Sequence, residues 1–199
     1  MRSINLILKL VLDYFLALFF LVLFFLPFLI ITLAIYFIDG SPIFFTQKRA
    51  GKYGKSIKVI KFKTLVVENL KKKPSKLGIF LRITRLDEIP QIFNVLKGDL
   101  SFVGPRPLYI KYIKLYNSNQ KIRLNMKPGI TGWAQINGDN NISWKKKFDL
   151  DIWYVNNFNI LIDFKIIFLT TLFLIRSILF YNKIKKNKTI IDEEFNGKN

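Results

Sequence analysis

Residues 14–38 read YFLALFFLVLFFLPFLIITLAIYFI and contain no charged side chain. As one helix this run extends about 37 Å, enough to cross a hydrocarbon core of about 30 Å. It is too long for the apolar core of a signal peptide and lacks a small-residue cleavage site. Pro27 sits in its middle, where it removes a helical hydrogen bond and forces a kink. Cations flank both sides: Arg2 and Lys9 precede the run, and Lys48, Arg49, Lys52 and Lys55 follow it. Lys and Arg favour the cytoplasmic flank of a membrane segment, so both ends favour the same side. Two topologies stay open: a helix that enters, breaks at Pro27 and returns, or an ordinary kinked span with the short N-terminus outside.

A second apolar stretch, residues 160–181, is interrupted by Asp163, Lys165 and Arg176. The uncharged piece between Lys165 and Arg176 is too short to cross a bilayer. A helix lying in the interface with its basic residues near headgroups fits this pattern, beside the plainer reading of a buried core helix. From residue 183 onward the chain is polar and charged, as in a fraying tail.

The balance of 32 Lys and Arg against 13 Asp and Glu, a net charge of +19, calls for a polyanionic partner. No zinc-finger or other nucleic-acid motif is present. The 20 phenylalanines and the two apolar ends favour an anionic membrane surface, with phosphorylated substrates adding to the demand for cations. The chain has no Cys and no His. This excludes disulfides, thiolate catalysis and imidazole general bases, and leaves carboxylates, Lys, Arg, hydroxyls and an oxygen-liganded cation.

Between the apolar ends, residues 42–65 predict a hairpin: Gly51 and Gly54 mark the turn and Ile57, Val59 and Phe62 its apolar side. Residues 68–78, ENLKKKPSKLG, read as an exposed basic loop. Residues 107–125 form a helix candidate with one apolar face. Residues 127–141 read as a glycine-punctuated loop. Ser143 is placed to cap a helix over 143–158.

The stretch RLDEIPQIFNVLKGDLSFVGPRP, residues 85–107, holds adjacent acids, Asp87 and Glu88, in an otherwise basic chain. Ile89, Ile92, Phe93 and Leu96 follow helical spacing, Gly98 suits the C-terminal position, and Pro90 belongs in the first turn. Asp87 and Glu88 then lie at the helix N-terminus, where free N–H groups favour negative charge. A cap and a dipole-complementing acid would account for them without chemistry. Neighbours on a helix point about 100° apart, so they cannot face one atom as a glycosidase pair does. One would attack or bind while the other holds a cation or orients a partner. Arg106, between Pro105 and Pro107, is held by two fixed φ angles, and a rigid guanidinium suits bidentate phosphate binding. A solvated surface turn is the plainer account.

KFKTL (61–65), the 85–107 stretch, KPGITGWAQING (127–138) and DLDIWYV (149–155) resemble, in order, the motifs of the bacterial sugar transferases, the monotopic phosphoglycosyl transferases. The resemblance covers about residues 10–175. It implies transfer of a sugar-1-phosphate from a UDP-sugar donor to polyprenyl (undecaprenyl) phosphate, releasing UMP. It implies a re-entrant helix broken at Pro27, both ends cytoplasmic, at the cytoplasmic face of a bacterial inner membrane. Asp87 would be the nucleophile, passing through a covalent aspartyl phosphosugar, with Glu88 its partner and both acids holding Mg²⁺. Arg106, Arg82, Lys61, Lys63 and Gln91 would bind substrate. The expected fold class is α+β and mostly helical: a re-entrant membrane helix over 1–40, a small cytoplasmic catalytic domain over 41–182 with a short hairpin and interfacial helices, and a polar tail over 183–199. Three positions depart from the family pattern: Leu26 stands where serine often precedes the proline, Lys63 replaces an arginine, and Arg85 stands where serine is common.

The chemistry suits the residue set. A carboxylate attacking phosphorus gives an acyl phosphate. An aspartate near its usual pKa needs no base, and both UMP and the acceptor phosphate are anions. The reaction needs charge neutralisation, which Mg²⁺, Arg and Lys provide. Two rivals remain: a membrane-anchored basic binding protein without catalysis, and a direct transfer in which Asp87 only binds Mg²⁺.

Overall fold

The computed structural model of the protein describes residues 2–68, 70–138, 142–181 and 194–197. The chain is mostly helical with some strand. Helix α1 (Arg2–Leu23) and helix α2 (Phe25–Ile38) are separated at Phe24. The interruption therefore falls three residues before Pro27. Pro27 occupies the first turn of α2, where its missing N–H is among those without an intrahelical acceptor. Of the described helices, α1 from Ile4 to Leu23 is long and apolar enough to cross a membrane.

Asp13 and Asp39 bracket the uncharged run, and both bond to the domain that follows. Asp13 Oδ1 accepts from Ser101 Oγ and from the Phe102 N–H, each at 3.0 Å. Asp39 Oδ2 accepts from Ser75 Oγ at 2.7 Å. Ala17 packs with Val59, Ile92, Val95 and Leu100 in one core cluster, and Ile31 and Ile35 pack with Phe62 and Leu81 in another. The outward faces of both helices stay apolar and exposed: Val22 is 79% exposed, Leu26 62% and Phe37 79%.

The predicted hairpin is present: β1 (Phe44–Ala50) pairs antiparallel with β2 (Ser56–Phe62), with Ile57, Val59 and Phe62 buried. The stretch read as a basic loop is more ordered. Strand β3 (Leu65–Glu68) pairs with β4 (Lys71–Pro74), so the lysines stand on an edge strand. Ser75 then caps α3 (Lys76–Thr84) by accepting from the Gly78 N–H at 2.8 Å.

The helix expected to carry the acids is shorter than its apolar spacing implies. Arg85 adopts the left-handed conformation at φ +62° and ends α3. Leu86–Glu88 then form a 3-10 turn before α4 (Gln91–Leu96). Successive bonds run three residues back, from Glu88 to Arg85, Ile89 to Leu86, Ile92 to Ile89 and Phe93 to Pro90. Pro90 has no N–H with which to continue an α-helical ladder through the acids.

The predicted helix over 107–125 is instead two 3-10 segments, Ile110–Leu115 and Gln120–Asn125. Between them Asn117 and Gln120 exchange side-chain bonds to each other's backbone N–H, at 3.0 and 2.8 Å. Such local bonds compete with a continuing helix. The glycine-rich loop over 127–141 also contains regular structure. Strand β5 (Ser101–Val103) pairs in parallel with β6 (Gly129–Thr131), and α5 (Trp133–Ile136) follows; residues 139–141 lie outside the described set. A Cβ at Gly104 would strike the backbone of Lys127 and Gly129, so glycine permits this close approach.

Helix α6 (Trp144–Asn157) begins as expected, with Ser143 accepting from the Lys146 N–H. Asn159 caps α7 (Ile160–Leu179). Helix α7 buries Asp163, Ile166 and Ser177 while Leu161, Phe168 and Leu179 stay exposed, so it is not an enclosed core helix. The tail read as fraying is docked where it is described. Phe195 is 3% exposed among Tyr112, Tyr116, Trp144 and Phe148, and Lys111 bonds Glu194.

Candidate active site

Asp87 and Glu88 are both buried, each 8% exposed. The left-handed Arg85 and the 3-10 turn put them on a tight corner rather than on a helix face. A long side chain at positive φ is strained, and such strain is held only where the surroundings over-determine it. Asn94 fixes that corner against the hairpin: its side chain donates to Lys58 O at 2.7 Å and accepts from the Ile60 N–H at 3.0 Å. This places Lys61, at the end of β2, over the acids.

Lys61 Nζ donates to Glu88 Oε1 at 2.6 Å and lies 4.0 Å from Asp87 Oδ2. Arg106 and Arg85 approach the same Glu88 oxygen, at 3.7 and 3.8 Å. The two acids therefore respond differently. Burial pushes the Asp87 carboxyl up, and the charge of Glu88 pushes it further, against Lys61, Arg85 and Arg82. Burial also acts to raise Glu88, but Lys61, Arg106 and Arg85 together outweigh it and hold this carboxyl at about 2. Glu88 is the fixed anion that organises the cations. Asp87 is the less stabilised carboxylate.

The structure brings together most of the residues that the sequence singled out. Lys61, Glu88, Gln91 and Arg106 line one small polar cleft. Arg82 lies close enough for its charge to act on Asp87, while its Nε donates to Thr64 Oγ1 at 2.8 Å. Lys63 is placed elsewhere. Its Nζ donates to the carbonyls of Asp39 and Gly40. A cation there satisfies carbonyls at the C-terminal end of α2 and complements its dipole. This accounts for a point charge serving where the family pattern has a forked donor.

Two buried residues outside the expected site set, Arg123 and Asp151, support the Arg106 loop. Arg123 is buried, and its Nε and NH2 both donate to Asp151 Oδ2, at 3.0 and 2.7 Å. NH2 also donates to the carbonyl of Arg106 at 2.7 Å. The Gly129 N–H holds the neighbouring Pro105 carbonyl at 3.1 Å. The Gly-Pro-Arg-Pro loop is thus pinned from below by an ion pair as well as by its prolines. A signal existed: Asp151 shares the buried stripe of α6 with Phe148, Ile152 and Val155, and a carboxylate on an apolar stripe needs a partner.

A buried carboxylate pair inside a ring of lysine and arginine, beside apolar helices, is an arrangement suited to phosphate-bearing anions. Comparison with known sequences agrees. The profile of the bacterial sugar transferase family matches residues 4–177. The chain is 42% identical over 200 residues to an uncharacterised sugar transferase, EpsL, of Bacillus subtilis, covering 96% of this chain and 97% of that protein. It is 39% identical over 188 residues to the UDP-glucose:undecaprenyl-phosphate glucose-1-phosphate transferase of Klebsiella pneumoniae, covering 85% of this chain and 40% of that one. It is 34% identical over 163 residues to the undecaprenyl-phosphate galactose phosphotransferase of Salmonella typhimurium, covering 69% and 34%. The chain spans nearly all of the Bacillus relative and between a third and two fifths of the other two. The chain belongs to the bacterial sugar transferase family and is a transferase enzyme.

Proposed function

We propose that the chain transfers a sugar-1-phosphate from a UDP-sugar to undecaprenyl phosphate, by two displacements through Asp87. The observation that carries this reading is the division of labour between the adjacent acids. Glu88 holds Lys61, Arg106 and Arg85 in place, and Asp87 keeps the less stabilised charge beside them. The activities named for the Klebsiella and Salmonella relatives support it.

In the first displacement an Asp87 carboxylate oxygen bonds to the phosphorus that bears the sugar. The bond from that phosphorus to the bridging oxygen breaks, and UMP leaves with that oxygen. In the second, a phosphate oxygen of the acceptor bonds to the same phosphorus and the Asp87 carboxylate departs. All four participants are anions, so no proton need be shuttled by a chain without histidine. Lys61, Arg106 and Arg82 offset the repulsion between attacking carboxylate and phosphate oxygens.

Mg²⁺ fits the donor set. Adjacent carboxylates are hard oxygen ligands, and no cluster of three or more metal-binding side chains occurs among the described residues. Asp87, the less stabilised acid, would hold the ion with substrate phosphates completing its shell, as is usual for Mg²⁺, because Glu88 Oε1 already accepts from Lys61. When bound it supplies charge neutralisation at the phosphates.

The same reading gives α1 and α2 a re-entrant course at the cytoplasmic face. Asp13 and Asp39, on either side of the uncharged run, both bond the same domain, which suits a segment that leaves and returns. The exposed apolar faces of α1, α2 and α7 suit contact with lipid. The acceptor's phosphate then meets Asp87 at headgroup height.

The test is Asp87→Asn. UMP release from a panel of UDP-sugars, with and without undecaprenyl phosphate, should be lost while membrane association persists. Wild type incubated with donor alone should carry a trapped phosphosugar. Substantial UMP release by the variant would remove Asp87 as nucleophile. Full turnover without any trappable adduct would favour direct transfer.

A further inference from the structure

Arg49 is one of four cations following the apolar run, and in the sequence it reads as a flanking charge. In the fold it lies near the end of β1 and lines the same cleft as Lys61, Glu88, Gln91 and Arg106. Its guanidinium carbon sits 3.8 Å from the centroid of the Tyr109 ring. One amino group donates to Gln47 Oε1 and the other to the Pro107 carbonyl. These partners are an amide, a peptide carbonyl and a phenol ring, and none of them is a carboxylate. Burial pushes the guanidinium down from its usual value and the charge of Arg106 adds to this, against Tyr109. The cleft lining thus holds three cations, Arg49, Lys61 and Arg106, against one carboxylate, Glu88. A half-buried cation held in a cleft by an amide, a carbonyl and a ring favours an incoming anion.

We propose that Arg49, oriented by Gln47 and Tyr109, is a donor-binding residue that forms with Arg106 a two-guanidinium cradle for the diphosphate of the nucleoside diphosphate sugar. The stacked ring and the amide hold the fork in place before substrate arrives, so little side-chain entropy is lost on binding. This deepens the function proposed above and rests on it.

The experiment compares wild type with Arg49→Gln and Arg49→Lys, read as KM for donor and for acceptor separately. The donor KM should rise about tenfold to a hundredfold in Arg49→Gln, the range for one charge-assisted hydrogen bond. The acceptor KM should stay within about twofold, a change small on the scale on which tenfold is 1.4 kcal/mol. Arg49→Lys keeps the charge and loses the fork, so it should recover only part of the donor affinity. It also decides the matter if Arg49→Gln folds poorly. A second arm measures inorganic pyrophosphate binding by calorimetry in an Asp87→Asn background, where it should be lost on adding Arg49→Gln. An unchanged donor KM with retained pyrophosphate binding overturns the proposal, as does a rise confined to the acceptor KM. Pyrophosphate binding that depends on Arg49, in a protein that turns over no UDP-sugar, would leave the anion cradle standing and sink the transferase reading instead.

Discussion

Lys9 Nζ lies 2.6 Å from Asp163 Oδ2, an ion pair between residues 154 positions apart that closes α1 onto α7. Both side chains are buried, and Tyr154 donates its hydroxyl to the other Asp163 oxygen at 2.6 Å. Breaking a buried pair from one side leaves an uncompensated charge and costs about 3–5 kcal/mol. Lys9→Met should therefore lower the thermal midpoint in detergent markedly. Adding Asp163→Asn, which keeps an acceptor for Tyr154, should restore much of the loss. Equal midpoints for Lys9→Met and wild type would show that the pair contributes nothing.

The raised Asp87 carboxyl predicts the pH dependence. A nucleophilic carboxylate works only when ionised, so kcat/KM should rise with pH through the Asp87 pKa and fall below it. Because burial and Glu88 both raise that pKa in the metal-free protein, the acid limb measured at limiting Mg²⁺ should lie above the ordinary 3.8 of an aspartate. Glu88→Gln removes the like charge and leaves Lys61 to Asp87, so the limb should move to lower pH even as the overall rate drops. A limb that stays put or moves upward in Glu88→Gln would contradict this coupling.

Arg123 should act on catalysis through Arg106. Arg123→Met leaves Asp151 charged and buried, so it should cost about 3–5 kcal/mol of stability. The double change Arg123→Met with Asp151→Leu removes both charges and should regain most of that stability. It should still show kcat/KM reduced at least about tenfold, comparable to one lost charge-assisted hydrogen bond, because the Arg106 carbonyl has lost its donor. Stability by thermal melting and UMP release measured on the same preparations separate the two effects.

Lys61 and Lys63 are two residues apart and should behave oppositely. Lys63→Met removes the donor to the Asp39 and Gly40 carbonyls and should cost about 1–3 kcal/mol of stability with the donor KM unchanged. Lys61→Met removes the cation on Glu88 and should cut kcat/KM by more than about a hundredfold, as loss of one preorganised electrostatic donor does elsewhere. A raised donor KM in Lys63→Met would return Lys63 to the substrate site.

Features carried by near neighbours were legible from the residues. The glycine turn of the hairpin and the Ser143 cap each depend on positions within about four of one another, and both are present in the fold, whereas the break in the apolar run falls at Phe24 rather than at Pro27. Reading failed where a local signal met a stronger one. The apolar stripe over 107–125 promised a helix, but the Asn117 and Gln120 exchange stopped it. Pro90 and the left-handed Arg85 turned an expected helix start into a 3-10 corner.

What the residue order determined by itself was the inventory: an apolar, proline-containing lead segment, adjacent acids in a basic chain, and a stiff arginine loop. Which charge meets which was decided only by the folded chain. Lys61 reaches Glu88 across 27 residues, Arg123 reaches Asp151 across 28, and Lys9 reaches Asp163 across 154. Arg49 and Lys63 look alike in sequence as cations of the same basic region, yet one lines the cleft and the other closes a helix end. The physical reason is that backbone conformation responds to neighbours a few residues away. The partner of a long, charged side chain is instead set by burial, which emerges once hairpin, helices and loops have packed.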